Sequence, residues 1–229
     1  MIKNFFFCVC LAVFSLHAQE PAIKTEVSAV VFDFGGVIAQ ADTANMSNFL
    51  MNSFQINKDE LSQALRTMQG FVADGGSEKQ YWEAYALIKG VVLPEDWCEQ
   101  FGKVINESIT AIPGTIAIVK ALQDQGYQTA MLSDITQYQA AIVRKMGYYD
   151  LFQPVLLSYA IGVKKPSPEA FKILLNELQL PASRVLFIDD RIENVEAARK
   201  LGIDAIQFLS PEQLQEEIEM RGIRFNESN

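Results

Sequence analysis

The chain has 229 residues and a formal net charge of −9, with 49% hydrophobic and 21% charged residues. This length and composition suit one sizeable packed domain, or a domain carrying an insertion. The acidic balance and the lack of any lysine or arginine run argue against nucleic acid and anionic membrane surfaces as partners, and a phosphorylated substrate would need a metal ion or a local cation beside it.

The first eighteen residues differ from the rest. MIKN carries a lysine, FFFCVCLAVFSL is continuously apolar, and HA precedes the polar QEPAIKTE. This is the arrangement of a secretory signal peptide over 1–18, cleaved after Ala18, with an apolar run too short to span a bilayer. The expectation is an exported protein, periplasmic or secreted, without membrane association after cleavage. A retained anchor, or a cytoplasmic start further along, are the rivals. Cleavage would remove His17, the only histidine, together with Cys8 and Cys10. Histidine-based catalysis and histidine-ligated metal sites are then excluded. Cys98 would have no intrachain disulfide partner, and CEQFGKV lacks the arginine of a thiol phosphatase loop. Chemistry must run on carboxylates, hydroxyls, lysine, or a metal held by oxygen.

In chain order, the first buried-strand candidate is AVVF at 29–32, which ends at Asp33 and breaks at Gly35-Gly36. Asp33 is either a turn-former or a reactive group at a sheet edge. Four helical patterns come next within 42–109: ADTANMSNFLMNSF, KDELSQALRTMQGF, EKQYWEAYALI and PEDWCEQFGKVINESI, with no strand among them. PGTIAIVKALQDQG reads as a helix between Pro113 and Gly126. Further short apolar runs at 129–132, 154–157, 185–188 and 205–208 read as strands. Helices PSPEAFKILLNELQL and RIENVEAARKLG lie between the later ones. The alternation predicts an α/β fold with a Rossmann-like parallel sheet and helices on both faces. Its core would comprise 26–41 and 110–229, with an all-helical cap inserted over 42–109. Such sheets bind ligands at the carboxyl ends of their strands, and this insert would lie over that edge. Phe71, Tyr81, Trp82 and Tyr85 could line a lid there, or form the insert's own core.

The strand ends carry the chemistry. Asp33 ends the first strand, Ser133-Asp134 the second and Asp189-Asp190 the fourth, with Lys164-Lys165 in a loop between. Singly, each could be a helix cap or a solvated loop. Together they place several carboxylates, a hydroxyl and a lysine on one sheet edge. Clustered carboxylates repel unless a cation sits among them, and hard oxygen ligands with open positions favour Mg²⁺. A lysine and a hydroxyl supply what a transferring phosphoryl group needs, and a carboxylate can act as its nucleophile.

VVFDFGGV, MLSD, GVKKPSPEAF and VLFIDDRIENVEAARKLGI, in that order, resemble the four motifs of the haloacid dehalogenase-like superfamily. The likeness is to its phosphatases in particular, from Val27 to about Phe208. The resemblance implies Asp33 as nucleophile and Ser133 and Lys165 as phosphoryl-binding catalytic groups, with Asp134 beside the substrate. It implies Mg²⁺ held by Asp33, the Gly35 carbonyl, Asp189 and Asp190, and a small helical cap after the first motif. It further implies hydrolysis of a small phosphorylated, sugar phosphate-like metabolite through an aspartyl-phosphate. Phosphatases of this family commonly carry a second aspartate two residues after the nucleophile, serving as acid/base; here that position is Gly35. Either the leaving group needs little protonation, or Asp42 or Asp134 substitutes as the acid. Arg191 is either a surface residue or a substrate contact. Two other readings stay open. One is a phospholigand-binding member with little turnover. The other is a metal-independent haloacid dehalogenase, against which the paired acids Asp189-Asp190 count.

Overall fold

A computed structural model describes residues 27–223; the expected signal peptide lies outside the described residues. The five apolar runs form five strands, β1 (Ala29–Phe32), β4 (Gln128–Ser133), β5 (Val155–Leu157), β6 (Val185–Asp189) and β7 (Asp204–Gln207). All pair in parallel in the order β5-β4-β1-β6-β7. The chain leaves β1 for one side of the sheet and later returns to build the other. β1 is therefore the switch point, and the crevice opens at its carboxyl end.

Side chains alternate between the two faces of each strand. Val30 and Phe32 join one core layer with Met131, Leu186 and Ile188. That layer is covered by α5 (Pro113–Asp124), α6 (Gln137–Lys145) and α10 (Pro211–Met220). Ala29 and Val31 face the other layer, which α8 (Pro168–Leu178) and α9 (Ile192–Lys200) cover. There Phe171 meets Phe187 edge to face, with ring centroids 5.3 Å apart. The helix starts obey sequence chemistry. Pro113, Pro168 and Pro211 open their helices, and Ser167 and Ser210 cap two of them.

The segment after β1 contains α1 (Thr43–Phe54), α2 (Lys58–Ala73), α3 (Glu78–Lys89) and α4 (Trp97–Ser108). Asn57 with Glu60 and Ser77 with Gln80 form capping boxes at the starts of α2 and α3. These helices share a core of their own around Phe54, Trp82, Trp97 and Phe101. The expectation that residues 42–109 hold no strand is corrected at one position, Ile109. β2 (Ala39–Ala41) and β3 (Ile109–Ala111) form an antiparallel two-stranded ribbon at its base. Ile109 is thus a strand residue rather than the end of a helix. Three-residue strands carry no periodicity by which they could be recognised.

The insert touches the sheet-bearing part through α6. The Tyr138 hydroxyl donates to the Cys98 carbonyl, and its ring stacks on Phe101. The Thr136 hydroxyl donates to the buried Glu78 carboxylate while accepting the Gln139 N–H that starts α6. Among the described residues, no helix is long and apolar enough to cross a membrane.

Candidate active site

Asp33 comes directly after β1, and its N–H donates to Ile188 O across the sheet (2.9 Å). The chain then turns at Gly36, whose N–H reaches Ala39 O at 2.8 Å. Gly36 has φ +77°, and a Cβ there would stand 2.6 Å from Asp190 Oδ2. Glycine is thus required twice, for the left-handed turn and for the approach of Asp190. Gly35 differs. Its backbone lies outside the left-handed region, and a Cβ there would meet nothing within 4 Å.

Lys165 is the electrostatic centre. Its ammonium donates to Asp33 Oδ1 (2.7 Å), Asp189 Oδ2 (2.7 Å) and the Leu132 carbonyl (2.8 Å). All three of its protons are used, and the side chain is 1% exposed. Burial alone would lower its pKa, but the charges of Asp33 and Asp189 outweigh that and hold the ammonium above its ordinary value. Its backbone N–H donates to Asp134 Oδ1 (3.2 Å), which fixes the loop against the end of β4. Asp189 accepts from the Arg191 N–H (2.9 Å) and from Asn194 Nδ2 on both oxygens (2.9 and 3.1 Å).

Asp33, Asp189 and Asp190 each place an oxygen within 4.8 Å of one another. When all are ionised, these three carboxylates face one ammonium and keep two uncompensated negative charges. Burial, aided by the Asp189 charge, therefore pushes Asp33 up to about 6 against the pull of Lys165. Asp190 moves in the same direction, by burial and then by Asp189. Burial also raises Asp134, with Lys165 opposing. The donor set is all hard oxygen, its charge surplus matches a divalent cation, and buried Asn194 Oδ1 lacks a hydrogen-bond partner. Those features fit Mg²⁺ with retained waters.

A cavity of about 300 Å³ lies over this edge, lined by Asp33, Gly35, Ser133, Asp134, Lys165 and Asp190 among others. Every expected site residue except Asp189 lines it, and Asp189 sits behind, fully buried, bonded to Lys165. Arg191 also lines the cavity, with its guanidinium held by Glu193. The candidate acid Asp42 is occupied elsewhere. It caps α1, accepting the N–H groups of Ala44 and Asn45 at 3.0 Å. Of the four aromatics considered for a lid, Tyr81 and Trp82 are buried in the insert's core, Tyr85 packs beside them, and Phe71 lies against Tyr81. The cavity's insert wall comes instead from Met46 and Ile105. Asn194 and Gln139 also line it, and neither stood out in the sequence. Asn194 could have been found, since it lies about one helical turn after the Asp189-Asp190 pair.

Residues 27–202 match the family model of a haloacid dehalogenase-like hydrolase. The chain is 33% identical over 203 residues to a D-ribitol-5-phosphate phosphatase of Bacteroides thetaiotaomicron, covering 79% of this chain and 91% of that protein. It is 24% identical over 197 residues to a sesquiterpene phosphatase of Aspergillus oryzae, covering 78% and 88% respectively. A crystal structure of a haloacid dehalogenase family enzyme of Bacteroides thetaiotaomicron, in complex with magnesium and inorganic phosphate, superposes with a TM-score of 0.68. It is 20% identical, and 80% of this chain and 95% of that one are covered.

Proposed function

The chain belongs to the haloacid dehalogenase-like hydrolases, and we propose that it is a Mg²⁺-dependent phosphatase of a small phosphorylated metabolite, with Asp33 as nucleophile. The observation that carries this reading is the Asp33–Lys165–Asp189 cluster with Asp190 beside it, at the floor of a ligand-sized cavity. The relatives' names and the magnesium and phosphate bound to a structural neighbour support it.

In this mechanism the Asp33 carboxylate attacks phosphorus and the ester oxygen leaves, forming an aspartyl-phosphate. Water then attacks the phosphorus and returns the carboxylate. Lys165 holds Asp33 ionised and in place. Ser133 contributes a hydroxyl to the phosphoryl oxygens. Mg²⁺ would be held by Asp33, Asp190, the Gly35 carbonyl and Asp189. Bound there, it offsets the charge of the carboxylates and of the transferring group. Gly35 offers no acid, and Asp42 is tied up as a helix cap. Asp134 is the remaining carboxylate at the cavity, and its raised pKa suits a proton donor. The export expectation stays part of the proposal and rests on the N-terminal pattern alone.

The test is phosphate release from p-nitrophenyl phosphate with and without Mg²⁺. Turnover that needs Mg²⁺ and disappears in Asp33→Asn is expected. Binding of phosphate without turnover would leave a phospholigand-binding protein instead. Metal-independent halide release from a 2-haloacid would make it a dehalogenase.

A further inference from the structure

Beyond the phosphoryl-binding groups, the cavity wall is largely hydrocarbon. Ala39 and Ala41 of the ribbon, Met46 and Ile105 of the insert, and Ile109 and Val143 line it. Polar side chains there are few: Gln40 and Gln139, with Asp134 and Asn194 at the border to the phosphoryl site. Two cations line the cavity. Lys165 spends its three protons on Asp33, Asp189 and the Leu132 carbonyl. Arg191 donates through Nε to Glu193 Oε1 at 2.9 Å, with a second guanidinium nitrogen on the same oxygen. The charge of each lining cation is thus already offset by a protein carboxylate, although the Arg191 guanidinium keeps N–H groups that Glu193 does not take.

These walls discriminate by what they leave unpaired. A polyol brings several hydroxyls out of water, and the few polar groups at the border of this wall can satisfy only some of them. Each hydroxyl left without a partner costs roughly tenfold or more in affinity. Each methylene laid against Met46, Ile105 or Ile109 contributes about fourfold in the other direction. Resting on the phosphatase reading above, we propose that the leaving group is compact, uncharged and mostly hydrocarbon. The substrate is then an alkyl or aryl phosphate monoester with at most one or two hydrogen-bonding groups, placed to meet Gln40 and Gln139. It takes the place of the sugar phosphate that the family resemblance suggested.

The test compares benzyl phosphate with glucose 6-phosphate and glycerol phosphate, on the full chain with Mg²⁺. All are esters of primary alcohols, so the chemistry of bond cleavage is closely matched. The expected result is a kcat/KM for benzyl phosphate about tenfold or more above either polyol ester. Met46→Gln and Ile109→Gln should each shrink that ratio by lowering the benzyl value, while Met46→Leu should keep it. A glucose 6-phosphate or glycerol phosphate value equal to or above that for benzyl phosphate in the unsubstituted protein overturns the proposal. Loss of all Asp33-dependent turnover, p-nitrophenyl phosphate included, overturns the phosphatase reading itself and is thereby distinguishable.

Discussion

Replacing Lys165 by methionine removes the one ammonium that sits between Asp33 and Asp189. The side chain keeps nearly the same length and apolar stem, so packing against Phe187, whose ring centroid lies 5.5 Å from the ammonium, is largely retained. The loss is one of charge. Asp189 is fully buried and the Asp33 side chain is 12% exposed, so neither can recover its hydration. Breaking a buried pair in this way costs about 3–5 kcal/mol. Because one cation serves both carboxylates, the upper end of that range applies. For a chain of this size each kcal/mol shifts Tm by about 2–4 °C, so Lys165→Met should melt roughly 10–20 °C lower without metal. Mg²⁺ should recover more Tm in the variant than in the parent. At a hundredfold excess over Kd, binding adds about 2.7 kcal/mol. The pH dependence has a definite sign. Asp33 already has a folded-state pKa raised above its unfolded value, and losing the lysine raises it further. An acid of this kind loses stability as pH rises through its folded pKa, so the deficit should be largest at neutral pH and shrink toward pH 5. Thermal melts at pH 5 and 7.5, with EDTA or with Mg²⁺, measure each of these effects. A variant that melts within 2 °C of the parent in EDTA at pH 7.5 would show that the ammonium does not hold the carboxylates together.

Three further positions carry expectations of their own. Gly35→Asp enters open space on an unstrained backbone. It should speed alkyl phosphate hydrolysis by about 10²-fold, with little change for p-nitrophenyl phosphate; equal loss on both esters would count against a missing leaving-group acid. Asn194→Leu removes the bonds to both Asp189 oxygens and should weaken Mg²⁺ binding by about 10–100-fold, read by calorimetry. Glu78 is raised by burial, against the hydrogen bond from Thr136. Glu78→Gln should therefore raise Tm most at pH 8, and the gain should fade as pH drops into the ordinary carboxylate range. A gain that grows on acidification contradicts that sign.

The sheet was legible because a parallel strand buried on both faces reads as an unbroken apolar run, as in AVVF at β1 and VLFID at β6. The site was legible for a related reason: residues at the carboxyl end of such a run stand at the ligand edge, and Asp33, Ser133 and Asp189 do so. The ribbon strands AQA and ITA were not legible, because three residues cannot show a period and they form only by pairing with each other. The cavity walls were hidden for a different reason. Whether Met46 or Tyr81 faces the cavity depends on how the insert docks on α6, through Glu78 with Thr136 and Cys98 with Tyr138. No spacing within the insert encodes that choice. Asp42 was readable either way, since aspartate before a helical pattern is also among the commonest of caps.

Phosphorylation of Asp33 is the step on which the proposed chemistry depends. A rapid acid quench of the protein with Mg²⁺ and a ³²P-labelled monoester, followed by proteolysis, reads it out directly. Label is expected on the peptide containing Asp33, released by hydroxylamine and absent in Asp33→Asn. Phosphate release that proceeds without labelled protein, and survives in Asp33→Asn, would contradict an aspartyl-phosphate at this site.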